Sequence, residues 1–347
     1  MADQIPHLEA FVKLGNLFQN FCDNDTSKEE NWHHRLTETV IVAGNHNGWF
    51  TKENVLFALK SWAKVLTSDR LTTWLNIYNI PAEHPKRVAI IMAGNIPLVG
   101  LHDFISVVLS GHQVIAKLSS NDRVLMHFIV AYLKENDDLL SQKITLTEDK
   151  LGDFDAVIAT GSNNTGRYFD YYFGKYPNII RKNRNSVAVL SGTEGADDLQ
   201  KLGTDIFTYF GLGCRSVSKI YVPKDYNFDH FYQGIYSFKT VIDHHKYANN
   251  YDYNKAVYLM SDIQILDNNF LLLKEDKGFA SPIGCLFYET YETVEELNSM
   301  LQKEKEALQC VLSNLEITNA LPFGISQKPS LDDYADGVDT LKFLSTL

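Results

Sequence analysis

Between residues 86 and 189 the chain alternates short β-rich runs with helix-like segments, and this alternation restricts the fold more than any other feature. "KRVAIIMAGN" ends in Gly94-Asn95 and is followed by "LVGLHDFISVVLSG"; "HQVIAKLSS" is a second strand and "RVLMHFIVAYLKEN" a second helix. "FDAVIATGS" makes a third strand and "NSVAVLSG" a fourth. Short apolar strands separated by helices are the mark of a parallel, doubly wound sheet. Such sheets bind ligands in the crevice at the carboxyl ends of their strands. The loops leaving these strands, "AGNIP", "KLSSND" and "ATGSNNTG", are each rich in small or polar residues.

The flanking regions have different textures. Residues 1 to about 80 read as helices: "IPHLEAFVKLGNLFQNF" has apolar residues at helical spacing, and "TKENVLFALKSWAKVL" opens with a Thr cap. "AGNHNGWF" between them reads as a turn with an exposed Trp49. From "SKIYVPKDYNF" onward the pattern is that of a second α/β unit, with the strand "IGCLFYETY" and the helix "TVEELNSMLQKEKEALQCVL". The tail "DGVDTLKFLSTL" has strand-like apolar spacing, and an isolated strand with open N–H and C=O groups invites pairing.

Bulk properties limit the partners. A length of 347 residues suits about two domains. A net charge of −11 argues against nucleic acid as the main partner, although local Lys, Arg and helix N-termini still accommodate a nucleotide. Cys22, Cys214, Cys285 and Cys310 are scattered without metal-ligand spacing, which fits a reducing cytoplasm. The start "MADQIPHLEAFVKLGNL" lacks the basic and apolar regions of a signal peptide, and no apolar run approaches a membrane span. The expectation is a cytoplasmic protein. His244-His245 reads as a surface pair, so no metal is expected.

Several residues carry two readings each. Gly161, Ser162 and Gly166 form an ordinary strand-to-helix turn, or a loop whose amides approach a pyrophosphate. Lys117 ends a strand as a solvated lysine, or contacts the ribose or 2′-phosphate of a dinucleotide. Ser119, Ser120 and Arg123 beside it supply donors and no carboxylate to repel a 2′-phosphate. Asn95 caps a turn, or donates its amide to a developing oxyanion. Cys214, in "YFGLGCRSVSK", is a small buried hydrophobe or a thiol presented on a glycine-permitted bend. A helix start after it would lower the thiol pKa. Cys285 and Cys310 read as core residues.

Taken in order, these stretches resemble the aldehyde dehydrogenase superfamily, and most closely its LuxC-type acyl-CoA reductase branch. The order is Asn after the first strand, Lys at the second, a Gly-Ser turn with a later Gly, then Cys after Gly. "PFG" at 322–324 is similar to the superfamily's closing motif, and "DDYADGVDTLKFL" to the LuxC-type branch. The resemblance covers about residues 85 to 347. It implies an aldehyde-dehydrogenase-like α/β fold: a helical N-terminal region with the NAD(P)-binding domain at 1–208, a catalytic cysteine domain at 209–325, and a tail at 326–347. In that superfamily the tail strand completes a neighbouring subunit's sheet, implying a homodimer or homotetramer. It also implies an enzyme that reduces an acyl-CoA, or an acyl group carried by a partner protein, to the aldehyde with NADPH. Cys214 would be the nucleophile and Asn95 the oxyanion donor; Lys117, Ser119, Ser120, Arg123, Gly161, Ser162 and Gly166 would bind the cofactor. Two superfamily carboxylates are absent: "RKNRNSVAVL" lacks the water-activating glutamate, and Gly278 stands where the second is expected. These losses fit a reductase, and leave aldehyde oxidation or a non-catalytic binding protein on the same fold as alternatives.

Overall fold

The computed structural model describes residues 5–25, 27–161 and 163–347, with residues 163 and 164 described by their backbone alone. The chain divides into two compact units, Met1–Lys182 with Ser330–Leu347, and 183–329. Each is described by itself.

The first unit opens with four helices, α1 (Leu8–Cys22), α2 (Glu30–His46), α3 (Lys52–Val65) and α4 (Ser68–Leu75). Thr51 caps α3 by accepting a hydrogen bond from the Asn54 N–H, which satisfies one otherwise orphaned donor. α2 runs on through "AGNH", so the turn begins only at Asn47, and Trp49 is half-buried against the core rather than exposed. The sheet that follows consists of β1 (Arg87–Ile91), β2 (Gln113–Lys117), β3 (Ile144–Thr147), β4 (Ala156–Thr160) and β5 (Asn178–Arg181). Connecting helices are α5 (Leu101–Leu109), α6 (Arg123–Asn136), the short α7 (Leu140–Lys143) and α8 (Asn163–Phe173).

All pairings in this sheet are parallel, and the strand order is β3-β2-β1-β4-β5. Val88 and Ile90 face the large helical core, while Ala89, Val157 and Ala159 face a second cluster with Phe169 and Phe173 of α8. Both faces of the central strands are therefore buried, which explains their unbroken apolar sequence. β5 is a four-residue edge strand, too short and polar to stand out in the sequence.

The loop after β1 is locked from beneath. Leu98 adopts φ 60°, a conformation strained for a residue with a side chain, and its N–H donates to Asp122 Oδ2 at 2.6 Å. Burial pushes the Asp122 carboxyl up to about 8, although the Leu98 hydrogen bond opposes the shift. Gly94 in the same loop abuts Ser119; a Cβ there would fall 2.4 Å from its hydroxyl.

The second unit contains β6 (Asn185–Val189), α9 (Ala196–Phe207), β7 (Val217–Pro223), α10 (Phe228–Gly234), α11 (His245–Met260), β8 (Ile265–Asp267), β9 (Leu272–Glu275), β10 (Cys285–Tyr291), α12 (Val294–Lys303) and β11 (Leu308–Ser313). Its sheet has the order β11-β6-β7-β10-β9-β8, parallel except for the β8/β9 pair. "NSVAVLSG" is thus β6 of this mixed sheet, not a fourth strand of the first, because β5 already fills the position beside β4.

The tail is not a free strand. Residues Thr340–Leu344 form a short helix, α13, capped by the Asp339 side chain at the Lys342 N–H. Leu341 and Leu344, three apart, are both fully buried, and α13 packs on α5 of its own unit. Thr340 accepts from Arg181 Nη2 at 2.8 Å, and Arg181 also pairs with the buried Asp103 of α5. Ahead of it, Tyr334 accepts from Trp74 Nε1 at 2.8 Å and Tyr78 donates to Asp339 at 3.0 Å. Apolar spacing alone did not separate strand from helix here; the Asp cap decides for helix. The tail accordingly presents no open strand for a second copy to receive.

Two predictions follow from this packing. Leu344→Ala should destabilise the protein by about 2–4 kcal/mol in urea unfolding, since it removes a fully buried side chain; an unchanged midpoint would show the tail undocked. For Asp122, a folded-state pKa raised above the unfolded value means that stability is complete at acid pH and is lost as pH rises from about 4 to about 8. Asp122→Asn keeps the acceptor for Leu98 and cannot ionise. Its stability relative to the parent should therefore grow by about 1.4 kcal/mol per pH unit across that window. A difference independent of pH would contradict this.

Candidate active site

Strand order reverses between β1 and β4, so the loops beginning at Met92 and Gly161 part there and leave a crevice at the carboxyl edge of the sheet. Asn95 lies exposed in the first of these loops. Gly161 starts the second: its N–H donates to the Arg181 carbonyl at 3.2 Å, and a Cβ would approach Phe169 to 2.9 Å. The missing side chain at Gly161 thus lets α8 close on the strand. Ser162 lies outside the described residues. Gly166 is buried within α8 against the Lys182 stem, a Cβ there coming within 3.2 Å of its Cγ.

Lys117 ends β2 on the same edge, and its ammonium donates to the Asp149 carbonyl at 2.7 Å. Its remaining donors are available to a ligand. Ser119 Oγ accepts from the Asn121 N–H at 3.3 Å, while the exposed Ser120 offers its carbonyl to His46 Nε2 at 2.5 Å. Arg123 is paired at 2.6 Å with Glu148, whose carboxyl is held below the usual range chiefly by that hydrogen bond. Glu148 was missed because it lies 25 residues further on, after β3, and only the fold brings it beside Arg123.

Cys214 belongs to the second unit. Tyr209 (φ 56°), Phe210 (φ 57°) and Gly211 (φ 78°) are successive left-handed residues, and two of them carry aromatic side chains that disfavour this geometry. The chain then makes a turn closed by the Ser216 N–H on the Gly213 carbonyl at 3.0 Å, which puts Cys214 at the turn's second position, half-buried. Ser186 Oγ donates to the Cys214 carbonyl at 2.8 Å, and Ser216 Oγ accepts from the Gly213 N–H at 3.3 Å. Strand β7, not a helix, follows the turn. The expected helix N-terminus beside the thiol is therefore absent, because "VSKIYV" pairs in the sheet and is buried at every position but the half-buried Ser218. Gly278, at the expected carboxylate position, donates its N–H to Asp276 at 2.7 Å, and Lys274 pairs with the same carboxylate.

The other cysteines differ. Burial pushes the Cys285 thiol up to about 12 and raises Cys22 as well. Cys310 is buried, with Arg215 Nη1 at 3.3 Å from its sulfur. Among the described residues no three His, Cys, Asp or Glu side chains gather as a metal site, and no helix is long and apolar enough to cross a membrane.

Residues 80–234 match the family model for acyl-CoA reductase (LuxC), a span that includes Asn95, Lys117, Gly161 and Cys214. No curated protein matches the sequence. Among solved structures, the chain is similar to an indole-3-acetaldehyde dehydrogenase complexed with NAD+, at 12% identity and a TM-score of 0.62, over 88% of this chain and 71% of that one. Aldehyde dehydrogenase 21 from Physcomitrella patens, in complex with succinate, gives 12% identity and 0.63, over 97% and 84%. An NADP-dependent enzyme from E. coli gives 13% and 0.58, over 92% and 82%. At such identity the structural likeness concerns the fold. The chain thus carries the sequence pattern of the acyl-CoA reductase (LuxC) family across residues 80–234, on the α/β fold of the aldehyde dehydrogenases.

Proposed function

We propose that the protein reduces an acyl-CoA to the aldehyde with NADPH, through a thioester formed on Cys214. One observation carries this reading: Cys214 alone among the cysteines lies within a turn outside any helix or strand, behind a strained backbone segment, while burial raises the thiols of Cys22 and Cys285.

In this reaction the Cys214 thiolate attacks the thioester carbonyl, the new S–C bond forms and CoA leaves as its thiolate. Exchange between two thioesters is nearly isoenergetic, so catalysis lies in orientation and in stabilising the oxyanion. From the resemblance to the superfamily, the Cys214 N–H and the Asn95 amide would donate to that oxyanion, each worth about 3 kcal/mol in the transition state. NADPH, when bound, supplies the hydride that reduces the acyl carbon. Cys214 then departs as a thiolate, which restores the nucleophile as the aldehyde is released.

The residues at the first sheet's carboxyl edge fit a dinucleotide. Lys117 keeps donors beyond the one given to Asp149, and Asp122 beneath the loop is largely protonated at neutral pH, so it adds little negative charge below a pyrophosphate. Lys117, Ser119 and Ser120 would hold the ribose and its 2′-phosphate, with Arg123 at the loop's end. The segment Gly161–Gly166, including Ser162, would hold the pyrophosphate. Loop 118–121 contains no carboxylate, and Glu148 is engaged by Arg123. Water-driven oxidation to an acid is disfavoured because residues 181–190, the stretch nearest the superfamily's activating glutamate, contain no carboxylate.

Cys214→Ser should lower acyl-CoA-dependent NADPH oxidation by at least ~10³-fold with an unchanged circular dichroism spectrum, since a neutral hydroxyl does not replace a thiolate. Near-parental turnover would move the nucleophile elsewhere. The ratio of kcat/KM for NADPH over NADH should exceed about ten, because Ser120 does not repel a 2′-phosphate and Lys117 attracts it. A preference for NADH would overturn the assignment.

A further inference from the structure

Asp205, on the buried side of α9, takes no part in the chemistry above. It is fully buried and accepts three hydrogen bonds from one loop: the Gly324 N–H at 2.5 Å, the Ser326 N–H at 3.0 Å and the Ser326 hydroxyl at 2.7 Å. Burial raises its carboxyl above the ordinary value against the pull of those donors. A carboxylate is a costly way to hold a loop, because an apolar side chain would do so without desolvating a charge. What it adds is direction, since three donors converge on two oxygen atoms.

The loop so fixed, "PFGISQ" at 322–327, reaches the Cys214 turn by two routes. The Ser326 carbonyl accepts from Arg215 Nη1 at 3.5 Å. The Gln327 side chain, 6% exposed, donates from Nε2 to Ser216 Oγ at 3.2 Å. That hydroxyl is the group on which the Gly213 N–H closes. Gly213, Arg215 and Ser216, which bracket the thiol, are therefore all tied to a loop whose shape Asp205 sets.

We infer that Asp205 and Gln327 are positioning residues for Cys214, acting through loop 322–327 to fix the turn that orients its thiol and backbone N–H. This rests on the nucleophile role given to Cys214. With the turn loosened, the Arg215 cation and the backbone beside the thiol lose their fixed places, and thiolate formation shifts to higher pH.

The test is the rate of iodoacetamide alkylation at Cys214, located by peptide mass, followed from pH 6 to 10 in the full-length protein. The variants are Asp205→Asn, Gln327→Ala, Ser216→Ala and the Gln327→Ala/Ser216→Ala pair, with kcat and KM for acyl-CoA measured alongside. Each single variant should move the profile up by about one pH unit, about tenfold slower near neutrality, with kcat falling and KM nearly unchanged. The paired variant should be no slower than Ser216→Ala alone, because loss of the Ser216 hydroxyl already removes the Gln327 contact together with the Gly213 one. A folded Gln327→Ala protein whose Cys214 profile and kcat match the parent overturns the inference, as does an additive loss in the pair. If Asp205→Asn does not fold, Gln327→Ala decides. Retained turnover in Cys214→Ser would remove the nucleophile reading separately, since alkylation reports on the turn without any turnover.

Discussion

β1 is paired in register with β2 on one side and β4 on the other, Ile91 lying opposite both Lys117 and Ala159. The geometry of the first unit's carboxyl edge depends on this double pairing. Because the strands are parallel and end level, the loops after Ile91, Lys117 and Thr160 all emerge on one edge. Because α5 and α6 return on the β2 side while β4 takes the opposite side, the order reverses at β1 and a crevice opens there. Local chemistry then sharpens the edge. Gly94 lets two loops touch, and Asp122 fixes the backbone at Leu98.

The second unit holds Cys214 in a different way. The thiol is not placed on a helix terminus; it stands on a turn between a left-handed aromatic segment and a largely buried strand. Such a turn has little intrinsic rigidity, and it is pinned by side chains from separate parts of the unit: Ser186 on β6, and Gln327 and the Ser326 carbonyl from the closing loop. Backbone strain of this kind persists only where surrounding contacts over-determine it. The contacts here do so on both sides of Cys214.

Much of this was legible from the sequence, for definable reasons. β1, β2 and β4 are buried on both faces, which forces continuous apolar runs, and the residues that leave their ends are small because loops approach closely there. Lys117 accordingly ends its strand, Gly161 directly follows one, and Asn95 lies in the loop after β1. The tail misled because period-two and period-three spacings coincide in so short a segment; Asp339 as a helix cap was the discriminating signal. β6 was assigned to the wrong sheet because strand texture does not encode strand neighbours. Glu148 and Asp205 were invisible for a different reason. A carboxylate far along the chain has no local pattern, and its meaning comes only from the partners that the fold delivers, Arg123 in one case and Ser326 in the other.

The central claim is that Cys214 accepts the acyl group before any reduction occurs. It is tested most directly by mixing the protein with an acyl-CoA in the absence of nicotinamide cofactor, then measuring free CoA thiol and mapping the modified peptides by mass. The account predicts about one equivalent of CoA released per active site and an acyl mass increment on the peptide containing Cys214. No released CoA, or an increment carried by Cys22, Cys285 or Cys310 instead, would contradict it.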